Sequence, residues 1–146
     1  MNPMESTLQN PVFAAARATP RAISIAFWIV TALFCVEMMF TAYWELLQLP
    51  AAAQAFARLG FPAGSFRVEL SCAKVLGVAA LLIPVVPARL KEWAYAGFAI
   101  NLVSALIAHA AISDRPAAFA PSSITSVFWA LSYLFWRRLQ ATAPHE

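Results

Sequence analysis

Long apolar runs, separated by short polar or proline-containing links, dominate the pattern along the chain. Four runs predict helices over 22–47, 67–86, 90–112 and 119–137. Prolines lie mainly in the links, because a proline inside a helix removes a backbone hydrogen bond that lipid cannot replace. The runs do not alternate between apolar and polar residues, as the strands of a membrane barrel do. The pattern predicts an all-α integral membrane protein built as a four-helix bundle.

Three further stretches do not read as membrane crossings. Residues 1–21 and 139–146 are polar and predict two tails that flank a membrane domain over 22–138. The link 48–66 mixes apolar residues with Gln54 and Arg58, which predicts a short helix lying in the membrane interface. The link between the second and third helices is so short that these two helices should be antiparallel neighbours.

Composition strengthens the membrane interpretation. Of the 146 residues, 62% are hydrophobic and 12% are charged, whereas soluble domains carry about 25% charged residues. This length holds about four or five helical crossings. With only 2 cysteines the chain is not a disulfide scaffold. No basic run interleaved with aromatic residues is present, so a nucleic-acid partner is not expected.

The basic residues predict the orientation in the membrane. Six lie on the side of the two tails and of the link between the second and third helices: Arg17, Arg21, Arg89, Lys91, Arg137 and Arg138. Three lie on the other side: Arg58, Arg67 and Arg115. Because Lys and Arg accumulate on cytoplasmic segments, both termini are predicted to be cytoplasmic.

Several ionisable or amide side chains lie within the predicted helices, namely Glu37, Glu45, Glu69, Lys74, Asn101 and His109. A charge at the bilayer centre costs about 2.5–3.5 kcal/mol, so each such group needs a partner or a purpose. Counting about 1.5 Å per residue from the helix ends places the whole set between the midplane and the outer surface. We expect these residues to surround a polar pocket that opens outward, with Lys74 facing Glu37 or Glu69.

The same residues supply candidates for chemistry. Glu37, Glu69 and His109 are the candidate acid/base residues, because burial shifts the pKa values of such groups towards neutrality. The residues expected to contact a substrate are Glu45, Lys74, Asn101, Trp44, Ser104, Trp129 and Tyr133. One internal histidine without a cysteine cluster predicts no metal site, and nothing in the sequence points to a particular cofactor. A purely structural reading stays open, in which Glu37 and Lys74 form an ion pair and Asn101 joins two helices.

The middle of the chain carries a set of short motifs: Phe56-Ala-Arg-Leu-Gly-Phe-Pro62, Lys74-x-Leu-Gly77, Leu81-Leu-x-Pro84-x-x-Pro87 and Lys91-Glu-Trp-Ala-Tyr-Ala-Gly-Phe98, then His109 and Asp114. Over residues 55–115 the chain resembles the DoxX-like family of small bacterial four-helix membrane proteins. The resemblance implies a four-helix bundle in the bacterial inner membrane. The namesake of the family is a membrane subunit of a thiosulfate:quinone oxidoreductase.

Three functions are compatible with these observations. The first is binding of a small lipophilic molecule, such as a quinone, in the outer-half pocket, either alone or as a subunit of a redox complex. The second is a cofactor-independent membrane enzyme, an isomerase, cyclase or epoxide-opening enzyme. The third is a non-catalytic scaffold for partner proteins. The expected partners are the lipid bilayer, the lipophilic molecule, and a second copy of the chain or a redox-partner protein.

Overall fold

The computed structural model describes residues 20–47, 49–61 and 64–142. This part of the chain forms five helices: α1 Pro20–Leu46, α2 Pro50–Arg58, α3 Gly64–Leu82, α4 Ala88–Ala111 and α5 Pro116–Thr142. It contains no strand, so the predicted all-α class is confirmed. Of the two predicted tails, residues 1–19, which include Arg17, and residues 143–146 lie outside the described part.

Two helices have other bounds than the hydropathy pattern predicts. Helix α3 begins at Gly64 and ends at Leu82, before the first proline of the link, instead of running over 67–86. Helix α5 is longer than 119–137 at both ends, because it begins at Pro116, a residue favoured in the first turn, and includes Pro121. A helix satisfies its own backbone hydrogen bonds, so its bounds need not coincide with those of the apolar run.

The four long helices pack around a common core. Helix α1 packs against α3 and α5, and α4 packs against the same two helices. Phe34 and Phe98 meet edge to face at the centre, with ring centroids 5.0 Å apart. The hydroxyl of Ser132 joins those of Thr31 and Tyr95, each at 2.7 Å, so the buried polar groups of α1, α4 and α5 satisfy one another.

Two ion pairs and one hydrogen bond show which helix ends lie next to each other. Arg137 near the end of α5 pairs with Glu92 near the start of α4 at 2.9 Å. Lys91 donates a hydrogen bond of 3.1 Å to the carbonyl oxygen of Leu81, which joins the start of α4 to the end of α3. At the opposite end, Arg58 of α2 pairs with Asp114 in the link between α4 and α5. Helix α2 therefore lies at the end of the molecule where α4 gives way to α5.

Three segments are long and apolar enough to cross a membrane: Arg21–Leu46, Ala88–Ala111 and Pro116–Thr142. Large apolar side chains also cover much of the outer surface, among them Val36, Leu76 and Trp93 with 68%, 71% and 75% exposure. A water-soluble monomer rarely exposes apolar patches of this extent. The surface is therefore that of a membrane protein. A fourth crossing by α3, which carries Arg67, Glu69 and Lys74, stays a prediction.

Candidate functional site

A cavity of about 350 Å³ lies among α1, α3, α4 and α5, near the end where α2 is found. Most of its wall is apolar. Phe56 of α2, Phe61 of the link that follows it and Phe66 at the start of α3 form one side of the cavity. The polar side chains of the wall are Glu37, Thr41, Glu45, Lys74, Asn101, Ser104, Ser122 and Thr125. The cavity thus has the mixed lining typical of a small-molecule site, mostly apolar with a few polar groups.

A buried ion pair forms one corner of the cavity. The ammonium of Lys74 lies 2.6 Å from Oε1 of Glu45, and the two side chains are 7% and 9% exposed. Ser71 donates to Oε2 of Glu45 at 3.1 Å, and Lys74 also donates to the hydroxyl of Thr41 at 3.4 Å. Buried charges are tolerated when they are paired and hydrogen-bonded. This network therefore joins α1 to α3 at the cavity wall.

The partner of Lys74 differs from the one predicted. The sequence pairs Lys74 with Glu37 or Glu69, and this prediction is wrong because Glu45 is the partner. Glu45 follows Glu37 by eight residues, which is about 12 Å along a helix, and the relative height of α1 and α3 decides which carboxylate meets Lys74. Glu69 lies on an exposed face of α3.

Glu37 is half-buried on the α1 wall of the cavity. Thr125 of α5 donates a hydrogen bond to its Oε1. The Thr125 hydroxyl also lies 2.8 Å from the carbonyl oxygen of Pro121, so its single proton is shared between two acceptors. Among the described residues, Oε2 of Glu37 has no hydrogen-bond partner. Glu37 therefore keeps acceptor capacity at the cavity.

Asn101 and Ser104 come from α4, and Ser122 comes from α5. Within the described ranges, no residue hydrogen bonds the Asn101 amide or the Ser122 hydroxyl. An amide offers two donors and one acceptor, and a hydroxyl offers both functions. These groups are available to a molecule in the cavity.

Five predicted site residues do not line the cavity: Trp44, Glu69, His109, Trp129 and Tyr133. Trp44 and Glu69 are exposed. Trp129 donates a hydrogen bond of 3.0 Å to the carbonyl oxygen of Tyr95, and Tyr133 packs its ring against that of Tyr95. The polar and aromatic face of α5 is therefore divided, with its first turns at the cavity and its later turns packed on α4.

His109 belongs to a separate cluster at the end of the molecule. Its Nδ1 lies 2.8 Å from Oδ2 of Asp114, to which Arg58 also donates. The hydrogen bond from His109 lowers the pKa of Asp114 most. The hydrogen bond from the backbone N–H of Arg115 and the charge of Arg58 also lower this pKa, which lies below its ordinary value. The cluster connects α2 to the link between α4 and α5.

Sequence reasoning missed two residues on the buried face of α3. Arg67 is 8% exposed, and its Nη1 has no hydrogen-bond partner in the described part of the chain. Ser71 is fully buried and touches Glu45. Arg67, Ser71 and Lys74 follow each other at spacings of four and three, which places them on one face of a helix. This spacing could have indicated from the sequence that Arg67 and Ser71 lie on the same helix face as Lys74.

No group of three His, Cys, Asp or Glu side chains among the described residues is placed to hold a metal ion. A family model described as the DoxX-like family matches residues 29–132, which is more than half of the chain and includes every residue of the cavity wall. No curated protein and no solved structure matches the chain.

Proposed function

We infer a ligand-binding function for this chain, which belongs to the DoxX-like family. Family membership and three long apolar helices make it a membrane protein. We propose that α1, α3, α4 and α5 form a four-helix bundle in the bacterial inner membrane, as one membrane domain over 22–138. In this proposal the cavity binds a small lipophilic molecule, and the protein acts alone, as a homo-oligomer or as the membrane subunit of a redox complex.

The observation that carries the proposal is the Asn101 amide on the cavity wall. The wall is mostly apolar, and no described residue hydrogen bonds this amide. A polar group that a ligand shields from solvent without pairing costs about 1–3 kcal/mol. A lipophilic molecule with a carbonyl or hydroxyl oxygen would pair with the amide and fill the apolar volume beside it.

The charges of the wall favour an uncharged head group. Glu45 and Lys74 compensate each other at 2.6 Å. Glu37 has no cationic partner among the described residues, so an anionic ligand would meet a second carboxylate. A quinone fits these conditions, since its two carbonyl oxygens accept hydrogen bonds, and Asn101 and the remaining N–H of Lys74 can donate them.

The experiment is a calorimetric titration of the protein in phospholipid nanodiscs with 2,3-dimethoxy-5-methyl-1,4-benzoquinone, which has no hydrocarbon tail. Asn101→Leu removes the amide but keeps the number and branching of the side-chain heavy atoms, and it should weaken binding about tenfold, the effect of one lost hydrogen bond to an otherwise unpaired group. Gln140→Leu is the matched control, because it removes an amide from an exposed position of α5 outside the cavity. Unchanged binding by Asn101→Leu contradicts the proposal, as does a wild-type protein that does not bind.

A second candidate function, acid/base catalysis by a cofactor-independent membrane enzyme, is favoured by Glu37. Its Oε1 is fixed by Thr125 while Oε2 has no partner in the described chain. Such a carboxylate can exchange a proton with a lipophilic substrate that undergoes isomerisation, cyclisation or epoxide opening. Glu37→Gln keeps the size of the side chain and should retain quinone binding. It should abolish conversion of an alkyl epoxide to its diol, followed by chromatography, and retained conversion would exclude Glu37 as the catalytic base.

A further inference from the structure

A second concavity, which we call the tail groove, runs between α3 and α4 and has a volume of about 320 Å³. It shares Leu70, Lys74, Gly97 and Asn101 with the cavity described above. The polar residues of its wall are Lys74 and Asn101, and both lie at this junction. The groove therefore adjoins the cavity at its polar end and is apolar over the rest of its length.

The groove is long and narrow. From Asn101 to Leu90 it follows α4 for eleven residues, which is about 16 Å. Its depth comes from small residues such as Ala73 and Ala80, and Phe98 is part of its wall. A Cβ atom at Gly77 would lie 2.8 Å from the Phe98 ring, so the helices approach closely there. Phe98 is itself buried and packs edge to face on Phe34, which makes this wall part of the rigid core.

The side of the groove is open. Leu76 of α3 and Trp93 of α4 line it and are 71% and 75% exposed. In a membrane this surface faces hydrocarbon, so a chain lying in the groove can continue into the bilayer without meeting water. The groove thus opens laterally to lipid.

We propose that the tail groove holds the single hydrocarbon tail of the ligand whose uncharged head group occupies the cavity. This inference rests on the function proposed above and specifies its ligand class, a membrane lipid with a small hydrogen-bonding head and one long unbranched or isoprenoid tail. The ligand enters sideways from the bilayer between α3 and α4. The shared residues decide in favour of this occupant, because Lys74 and Asn101 line both concavities, and a head group held there has its tail next to the apolar part of the groove.

The test adds a second probe, the same benzoquinone with a decyl chain, to the titration in nanodiscs. Ala80→Phe fills the groove away from the cavity and should weaken binding of the decyl compound about tenfold or more, since several methylene groups lose their contacts. Binding of the compound without a tail should stay unchanged. Ala73→Phe, at an exposed position of the same groove, repeats the test if Ala80→Phe does not fold.

Ala96→Phe is the matched control, because Ala96 is exposed on α4 and lines neither concavity. It should bind both compounds like the wild type. If the groove variants bind the decyl compound with wild-type affinity, the proposal that the groove holds the tail is contradicted, while the proposed binding of the head group is not. If the wild type binds neither compound, the proposed function fails as well.

Discussion

Lys74 and Glu45 show how two costly residues become tolerable in a membrane protein. Each side chain is nearly fully buried, and the two hydrogen bond to each other and to the hydroxyls of Ser71 and Thr41. Removing one partner leaves the other charge buried alone, which costs more than the pair contributes. The pair is therefore expected to matter for folding whether or not a ligand touches it.

Replacing one member of the pair tests this expectation. Glu45→Gln should lower stability by about 3–5 kcal/mol, because the ammonium of Lys74 keeps no anionic partner. The double variant Glu45→Leu with Lys74→Met should recover most of this loss. Thermal unfolding in detergent, followed by intrinsic fluorescence, measures both.

Glu92→Gln is the control, since it breaks an ion pair whose side chains are 56% and 44% exposed and should change stability little. A Glu45→Gln protein that melts like the wild type would show that the pair is not needed for folding.

The residues also show how far the sequence determined the site. Charged and amide side chains are costly inside a membrane, and this cost indicated Glu37, Glu45, Lys74 and Asn101 as site residues. All four line the cavity. The same argument did not identify the Lys74 partner, because hydropathy does not set the relative height of two helices. His109 lies outside the cavity, since its partner Asp114 comes from the link beyond α4.

At the scale of the elements, α2 has the fewest connections to the rest of the fold. The sequence indicated a short helix in the link between α1 and α3. The rings of Phe56 in α2, of Phe61 just after it and of Phe66 in α3 form a wall of the cavity. Its interfacial position stays a prediction. The ion pair between Arg58 and Asp114 fastens its last turn to the other helices. This connection should therefore be stronger when the carboxyl group of Asp114 is ionised than when it is protonated.

The pKa of Asp114 lies below its ordinary value, so the ionised carboxylate stabilises the folded state. This contribution is complete above about pH 4, the ordinary aspartate value, and is lost as the pH falls through the lowered pKa. Asp114→Asn should accordingly lower the melting temperature at neutral pH, and its difference from the wild type should shrink in acid.

Melting curves between neutral pH and acid measure this effect. Glu69→Gln is the control, because Glu69 is an exposed carboxylate without an ion-pair partner among the described residues. A difference between Asp114→Asn and the wild type that stays constant down to strongly acidic pH would contradict the assigned role of the carboxylate.

At the scale of the whole molecule, the number of crossings decides on which side of the membrane each terminus lies. Arg137 and Glu92 join the end of α5 to the start of α4, next to the link that carries Arg89 and Lys91. Four crossings would put both termini on this basic side, which the charge distribution predicts to be cytoplasmic. Three crossings would put the termini on opposite sides.

Reporter fusions distinguish the two topologies. A cytoplasm-specific reporter at residue 1 and one after residue 146 should both be active in a bacterial host, and a periplasm-specific reporter at either position should be inactive. The same reporter pair placed in the link between α4 and α5 is the control and should give the opposite result. Activity of the periplasmic reporter after residue 146 would contradict the four-helix bundle.

The most direct test of the central claim asks whether the cavity holds a molecule when the protein leaves its membrane. Native mass spectrometry of the wild type and of Asn101→Leu, each released from purified nanodiscs, should show a non-covalent adduct on the wild type that is greatly reduced on the variant. Solvent extraction should identify the adduct as a neutral lipid with one tail. A wild-type protein that carries only its own mass, or an adduct equally abundant on Asn101→Leu, would contradict the account.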